Sequence, residues 1–310
     1  MKGKFVFVVN PRSANGATLR MFERMRGRFA SALGEIEVCL TTAPHHATVL
    51  ARDAVRAGAK AVVSVGGDGT NNEVIHGFFE EDGTAIGTQT ALGVVTSGTG
   101  GDFRRSFGWQ LDPLADLQRL QRFSTKRIDL GRVSCRDPQG KMKHHLFLNI
   151  SSLGVSGEVA DRVNNSSKAL GAKISFLLGT VQTMLGYQPK RVRIRFDQGA
   201  WQERLITLVA VANGQFFGGG MQIAPGAHVD DGFFDVVVVE GGGLGFFARH
   251  GMKLYSGKHI GMPEVHVQRC QSVEVEPLEG QNVVVDLDGE SPGTAPAEYQ
   301  IIPGAISLLV

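Results

Sequence analysis

A chain of 310 residues with 42% apolar side chains has enough material for two folded cores. Its net charge of +2 excludes a polyanion binder held by bulk charge, so no nucleic-acid partner is expected, although local basic patches stay open. The three cysteines, Cys39, Cys135 and Cys270, are odd in number, far apart and set in strand-like runs; they read as core thiols of a reducing, cytoplasmic setting, and no Cys/His spacing suggests zinc.

The chain opens on a strand, Lys4 to Val9, too short and too soon interrupted by Asn10-Pro11-Arg12 for a signal sequence. Helical periodicity runs from Gly16 to Leu33, strand character from Glu35 to Thr41, helix from His45 to Ala57 and strand from Lys60 to Val65. Asn71 to Phe79 reads as helix and Ala91 to Thr96 as strand. This alternation predicts an α/β domain, doubly wound around a parallel sheet with helices on both faces. Ligands of such sheets bind at the carboxyl ends of the strands. Asn10, Thr41, Gly66 to Thr70 and Ser97 to Asp102 each follow a strand directly, so four loops are expected to converge on one edge.

The stretch Gly66-Gly67-Asp68-Gly69-Thr70 runs from an apolar strand into Asn71-Asn72-Glu73-Val74-Ile75. Gly66, Gly67 and Gly69 are expected in backbone conformations closed to other residues, leaving N–H groups uncovered beside a helix start. Such an arrangement cradles phosphate. Asp68 inside it makes sense if a divalent cation lies between it and a polyphosphate, or if it positions a reacting hydroxyl. The plainer alternative is an N-cap. A P-loop fails because no lysine lies near Thr70, and a Rossmann fingerprint fails because Asn72 stands where a third Gly or Ala belongs. Gly243-Leu244-Gly245-Phe246-Phe247-Ala248 has that fingerprint's spacing, but only Glu264 could hold a ribose, so Gly241 to Gly245 is read as a flexible connection.

From about Lys126 the pattern changes to strand-like runs at Arg127 to Val133, Arg191 to Phe196, Leu205 to Ala212, Phe233 to Glu240, Ser272 to Glu276 and Val283 to Leu287. Helical stretches at Gly157 to Asn164, Lys168 to Leu185 and Gly245 to Tyr255 interrupt them. The expectation is a mainly antiparallel β-sandwich. The domains are placed at 1–125 and 126–310, with the last residues open to packing back on the first domain. Lys173 to Tyr187 is apolar but too short to span a bilayer. The protein is therefore expected to be cytoplasmic, with transient docking on a membrane surface left open. Arg191, Arg193 and Arg195 alternate on one strand face, which reads as a solvated face with anionic lipid headgroups as the alternative. The histidine pairs His45-His46 and His144-His145 read as surface or loop residues.

An ordered set of short motifs covers nearly the whole chain. Asn10-Pro11 comes first, then Thr41-Thr42 with His46-Ala47, the Gly66 to Thr70 stretch with Asn72-Glu73, and Gly98-Thr99 with Asp102-Phe103. Asn149 with Gly154, Asn213-Gly214 with Gly218-Gly219-Gly220, Pro225, Asp230-Asp231-Gly232 with Asp235, and Asp288-Gly289-Glu290 complete it. In this order they resemble the diacylglycerol kinase catalytic-domain family of bacterial lipid kinases, related to sphingosine and ceramide kinases. The resemblance implies an ATP-binding first domain akin to NAD kinases and phosphofructokinases, and a β-rich second domain that receives a lipid head. It implies that Asn10, Thr41, Gly66, Gly67, Asp68, Gly69, Thr70, Asn71, Asn72, Glu73, Gly98 and Thr99 hold the nucleotide. Asp288 and Glu290 would be the catalytic acid pair, with Asp68 a further acid. A structural Mg²⁺, or Ca²⁺, would be held by the Asp231 side chain and the backbone carbonyls of His228 and Phe233.

The residues support this chemistry in part. Without a Walker lysine, backbone N–H groups and Mg²⁺ must compensate the triphosphate charge, with Arg12, Arg104 and Arg105 on loops at the same edge. Asp288 and Glu290, two apart, share a face of an extended strand, and Gly289 permits a turn that aims both; a solvated hairpin turn is the plainer reading. The family's fourth loop reads Pro-x-Gly-Thr-x-Asn-Asp, whereas this chain has Thr96 for the proline and Gly101 for the asparagine, which is expected to loosen the loop. The leading expectation is an ATP:lipid phosphotransferase. The alternatives are a sphingoid base or ceramide kinase, an NAD kinase-like kinase of a soluble metabolite, and a nucleotide-binding regulator without turnover. A homodimer is left open.

Overall fold

Five apolar residues in a row, Phe5–Val9, form β1, buried along its whole length as a central parallel strand must be. The structure is a computed structural model that describes residues 3–87, 89–97, 101–165, 183, 186–241 and 243–310. Contacts divide it into two units, Met1–Leu130 with Pro303–Val310, and Gly131–Ile302.

In the first unit β1 is followed by α1 (Ala17–Leu33), β2 (Ile36–Leu40), α2 (His46–Arg56), β3 (Ala61–Gly66) and α3 (Asp68–His76). Then come β4 (Ala91–Thr96), α4 (Asp102–Arg105) and α5 (Pro113–Arg122). The strands are parallel in the order β4-β3-β1-β2, and Leu308 of the returning chain pairs with Leu92 beyond β4. Phe22, Met25 and Phe29 recur at helical spacing along α1 and bury against Phe7, with ring centroids of Phe22 and Phe29 at 5.4 and 5.0 Å from it. Burial of each such ring contributes roughly 1.5–3 kcal/mol. α5 was not anticipated, although Asp112 accepts the Leu114 N–H as N-cap and Pro113 sits at the first helical position.

The second unit is entered along β5 (Thr125–Arg136) and continues through β6 (Met142–Phe147), β7 (Ile150–Gly154), α6 (Val155–Asn165), β8 (Lys190–Phe196), β9 (Gln202–Ala212) and β10 (Phe234–Glu240). α7 (Gly243–Leu254), β11 (Val265–Cys270), β12 (Ser272–Pro277), β13 (Val284–Leu287) and β14 (Glu290–Leu309) complete it. Pairing here is antiparallel, in the order β11-β10-β9-β7-β13-β14, with β8 joining β9 to β12. Alternation explains the layering. Val209, Val211 and Val236 face a core with Phe147, Phe234 and Tyr299, while Leu208, Ala210 and Val237 face another with Leu254 and Ile223. The long strand-like runs located β8, β9, β10, β12 and β13; β6, β7, β11 and β14 were not anticipated.

Gly241, within the expected flexible connection, is held by its N–H to the Leu205 carbonyl at 3.1 Å, and α7 opens at Gly243; Gly242 lies outside the described residues. The Lys168 to Leu185 stretch lies almost wholly outside the described residues. Among the described residues no helix is long and apolar enough to cross a membrane. Cys135 and Cys270 are free and buried, and burial pushes their thiols up to about 11 and about 12, which removes them as nucleophiles.

Candidate functional site

Strand register decides which residues meet in the first unit. Val9 lies level with Leu40 and Val65, and Gly66 with Thr96. Asn10, Thr41, Gly67 and Ser97 therefore leave the sheet at one edge. The strands are still paired there, since Asn10 N–H donates to Val65, Thr41 N–H to Val9 and Ser97 N–H to Gly66, at 3.0, 2.9 and 2.9 Å.

α3 begins at Asp68, three residues before its apolar pattern indicated, and β3 runs through Gly66. The junction is Gly67 alone, extended at φ −98° and ψ −171°. None of Gly66, Gly67 and Gly69 has positive φ, contrary to expectation, because a strand that passes straight into a helix needs no left-handed turn. Glycine is required here for space. A Cβ on Gly66 would lie 2.4 Å from the Thr70 hydroxyl, whereas a Cβ on Gly67 would meet nothing within 4 Å. Among the described residues the backbone at Gly67 is thus open and no side chain caps the first turn of α3. Uncapped N–H groups with the helix dipole behind them favour an anion.

Asp68 does something other than expected. Its carboxylate accepts the N–H groups of Gly101 and Asp102, both at 2.8 Å, and of Phe103 at 3.3 Å. It does not cap its own helix; it caps α4 from across the edge. Those bonds fasten the chain that has just left Gly98 and Thr99, two expected nucleotide residues that lie outside the described ones. Gly101 has φ +91°, and a Cβ there would come within 2.7 Å of the Thr96 methyl. The two departures in this loop are therefore spatial partners, and at Gly101 the chain is pinned rather than loosened.

Other expected nucleotide residues hold the edge together. Asn10 Nδ2 donates to Thr70 Oγ1 at 3.1 Å, and Asn10 Oδ1 accepts the Arg12 N–H at 3.0 Å. Asn71 is buried and accepts the Ser64 hydroxyl at 2.7 Å. Asn72 is buried too. Glu73 accepts the Ala47 N–H at 3.1 Å and so caps α2. Of the three arginines, Arg104 bonds the Trp109 carbonyl at 2.5 Å and Arg105 pairs with Asp102 at 3.2 Å, while Arg12 is exposed.

In the second unit β13 and β14 form a hairpin in which Leu287 pairs with Glu290. Its two loop residues, Asp288 at φ +48° and Gly289 at φ +93°, are both left-handed, the geometry Asp-Gly favours in a two-residue turn. The Asp288 carboxylate accepts the N–H groups of Leu148 at 3.1 Å and Ile150 at 3.0 Å, fastening the turn to β7. Glu290 is exposed. Sequence reasoning passed over Asp286. It is buried, accepts the Ser152 hydroxyl at 3.0 Å, and its carboxyl is pushed up to about 7 by burial, opposed by the Ser152 bond and reinforced by Asp288 and Glu290. An acid two positions before Asp288 on a strand shares its face, a signal available in the sequence. The hairpin thus presents a graded trio: Asp286 buried, Asp288 bound to backbone, Glu290 facing solvent.

The expected metal loop fits poorly. His228, Asp231 and Phe233 do share one loop, but Asp231 Oδ1 accepts the Phe233 N–H at 3.0 Å and Oδ2 pairs with Arg269 at 2.6 Å. The guanidinium, stacked 4.4 Å over the Phe233 ring, already neutralises this carboxylate. Among the described residues no group of three His, Cys, Asp or Glu could hold a metal. The arginine stripe of β8 is likewise neutralised. Arg195 chelates Glu274 across the strands at 2.6 Å, Arg193 pairs with Glu276, Arg191 pairs with Glu279, and Trp201 stacks 4.7 Å from Arg193 and Arg195. This stripe has no charge to spare for headgroups.

Comparison with known proteins accords with this arrangement. The family described as "Diacylglycerol kinase catalytic domain" matches residues 4–133, and the one described as "YegS C-terminal NAD kinase beta sandwich-like domain" matches residues 149–310. A diacylglycerol kinase of Mycobacterium tuberculosis (strain CDC 1551 / Oshkosh) is 28% identical, over 99% of this chain and 95% of its own. One from Bacillus subtilis (strain 168) is 26% identical, over 94% and 91%. A solved chain from Bacillus anthracis str. Sterne, described as a diacylglycerol kinase, superposes with a TM-score of 0.69 at 19% identity, covering 99% of this chain and 96% of that one. A second structure from the same organism gives 0.77 at 23% identity, covering 99% and 95%. At these identities the structures bear on the fold alone.

Proposed function

Since the chain belongs to the diacylglycerol kinase catalytic-domain family of bacterial lipid kinases, we propose that it transfers the γ-phosphate of ATP to a hydroxyl of diacylglycerol or a closely related lipid. The observation that carries this reading is the junction of β3 and α3, where an open glycine backbone meets an uncapped helix start. In this reading the phosphates lie against the N–H groups of Gly67 to Thr70, with Mg²⁺ arriving on the nucleotide. Asn10, Asn71 and Glu73 act by holding the edge, and Arg12 adds positive charge. Phosphoryl transfer asks mainly for placement and charge compensation, which such an edge supplies.

Glu290 is the general base in this reading. The acceptor hydroxyl oxygen forms its bond to the γ-phosphorus as the bond from that phosphorus to the bridging oxygen breaks. ADP leaves, and the hydroxyl proton passes to the Glu290 carboxylate. Asp288 is a positioning residue, because its oxygens are taken by the Leu148 and Ile150 amides. The test is incubation of the purified protein with labelled ATP, Mg²⁺ and a panel of neutral lipids, sphingoid bases and soluble metabolites. Label in a glycerolipid supports the reading. Label in a sphingoid base or a soluble acceptor redirects it, and ATP binding without any turnover overturns it in favour of a regulator.

A further inference from the structure

Two groups of basic residues in the second unit are treated oppositely by the fold. Those on β8 are each matched by a glutamate. Those on the end of α7 and the chain after it are not: Arg249, Lys253 and Lys258 are exposed and form no ion pair among the described residues. The sequence explains why. Between Glu240 and Glu264 there is no acidic residue at all.

Apolar side chains interleave with these cations. Met252 is 82% exposed, Tyr255 52% and Ile260 38%, an unusual concentration of large apolar surface within nine residues (252–260). This is not a frayed segment. Leu254 is buried in the core it shares with Val265 and Ile223, and its carbonyl accepts the Gln222 N–H at 2.8 Å. His259 is fully buried and bonds the Ile223 carbonyl at 2.9 Å, and burial lowers its pKa, which keeps it neutral. The Lys253 carbonyl accepts the N–H groups of Ser256 and Lys258, at 3.2 and 3.0 Å. Two inward anchors thus hold a platform whose outward side chains are Arg249, Met252, Lys253, Tyr255, Lys258 and Ile260.

We infer that this platform is the surface by which the protein docks on an anionic bilayer. Charge complementarity selects the occupant: exposed cations that form no ion pair among the described residues, on a segment without an acidic residue, match anionic phospholipid headgroups. Isolated apolar tips between cations suit the boundary of headgroups and acyl chains better than a protein groove, which would gather them into one pocket, and tyrosine is at home at that depth. The inference rests on the lipid kinase reading for its purpose, since a kinase of a bilayer lipid must reach its acceptor there, but its test does not.

The experiment is sedimentation with vesicles, without nucleotide. Wild-type protein is expected to bind vesicles of mixed phosphatidylglycerol and phosphatidylcholine far better than phosphatidylcholine alone, with binding falling as salt rises. The triple variant Arg249→Gln, Lys253→Gln, Lys258→Gln should lose about a hundredfold in partition coefficient, the scale of three surface cations. Met252→Asp should weaken binding with the cations intact. Both variants should keep wild-type melting temperature and wild-type rate on a short-chain diacylglycerol dispersed in neutral detergent micelles. Undiminished binding of the folded triple variant, or equal binding of wild type to neutral vesicles, overturns the inference. Vesicle binding with no lipid phosphorylated in any form leaves the docking surface standing and removes the kinase reading instead.

Discussion

In the first unit a strand passes through one extended glycine, Gly67, into a helix; in the second a strand reverses through Asp288 and Gly289, both left-handed, into a hairpin. Each place joins acid and glycine, and each spends an aspartate on backbone amides: Asp68 on Gly101, Asp102 and Phe103, Asp288 on Leu148 and Ile150. The groups that lie outward differ in sign. Beside Gly67 they are uncapped N–H donors, suited to phosphate. Beside Gly289 the exposed group is the Glu290 carboxylate, suited to a hydroxyl proton. An acid in a signature motif is therefore not by its presence a chemical acid, and what its oxygens already hold decides the matter.

The largest expected effect separates Glu290 from its neighbours. Glu290→Gln should lower turnover by about a hundredfold or more, the scale of a lost acid–base group, with ATP affinity unchanged. Asp68→Asn, which keeps an acceptor oxygen for the α4 amides, should retain much more activity than Asp68→Ala. The alanine variant strands up to three N–H groups and should lose about 1–3 kcal/mol of stability in urea titration. Equal inactivation by both Asp68 variants at unchanged stability would make Asp68 a chemical acid and erase the distinction drawn here.

Gly67 tests the other turn. Its extended backbone admits any residue, and no described residue comes within 4 Å of its absent Cβ. Gly67→Val should leave the melting temperature near wild type and weaken ATP by tenfold or more by calorimetry, since one charge-assisted bond to phosphate is worth about 1.5–3 kcal/mol. A large loss of stability with intact ATP affinity would mean that the glycine serves the fold.

The alternation of strand and helix was legible as far as Thr96 because each element carries its own period: buried Phe5–Val9, or Phe22, Met25 and Phe29 along α1. The antiparallel unit was harder. β11 keeps only Val265 and Cys270 buried, with four exposed residues between, and β14 runs through Pro292, Gly293 and Pro296, so neither presents a strand-like run. At the site, the glycine and acid motifs marked the right segments but not the duties within them. The Asp68 and Asp288 bonds reach distant amides, and no local pattern encodes such partners. Nor does any motif report that Arg269 neutralises Asp231. Asp112-Pro113 and Asp286, by contrast, were readable and were missed.

The smallest effect sharpens the acid hairpin itself. Asp286 is buried beside Asp288 and Glu290, and burial raises its carboxyl to about 7 from an ordinary 3.8. Between those two values the folded chain keeps a proton that the unfolded chain has released. Unfolding there loses a proton at Asp286, so this group's contribution to stability falls as pH rises from about 4 to about 7 and is constant on either side. An asparagine in its place would present a similar shape with nothing to ionise. Asp286→Asn should therefore match wild type in melting temperature near pH 4, pull ahead through pH 7, and hold a constant lead of several degrees at pH 8. The Ser152 hydroxyl can still donate to the amide oxygen, so the fold should survive the change. Melting curves at half-unit steps from pH 4 to 8.5 measure the lead directly. A lead that is the same at every pH would show that Asp286 is not the titrating group, and that the third acid of the hairpin is exposed to water in solution.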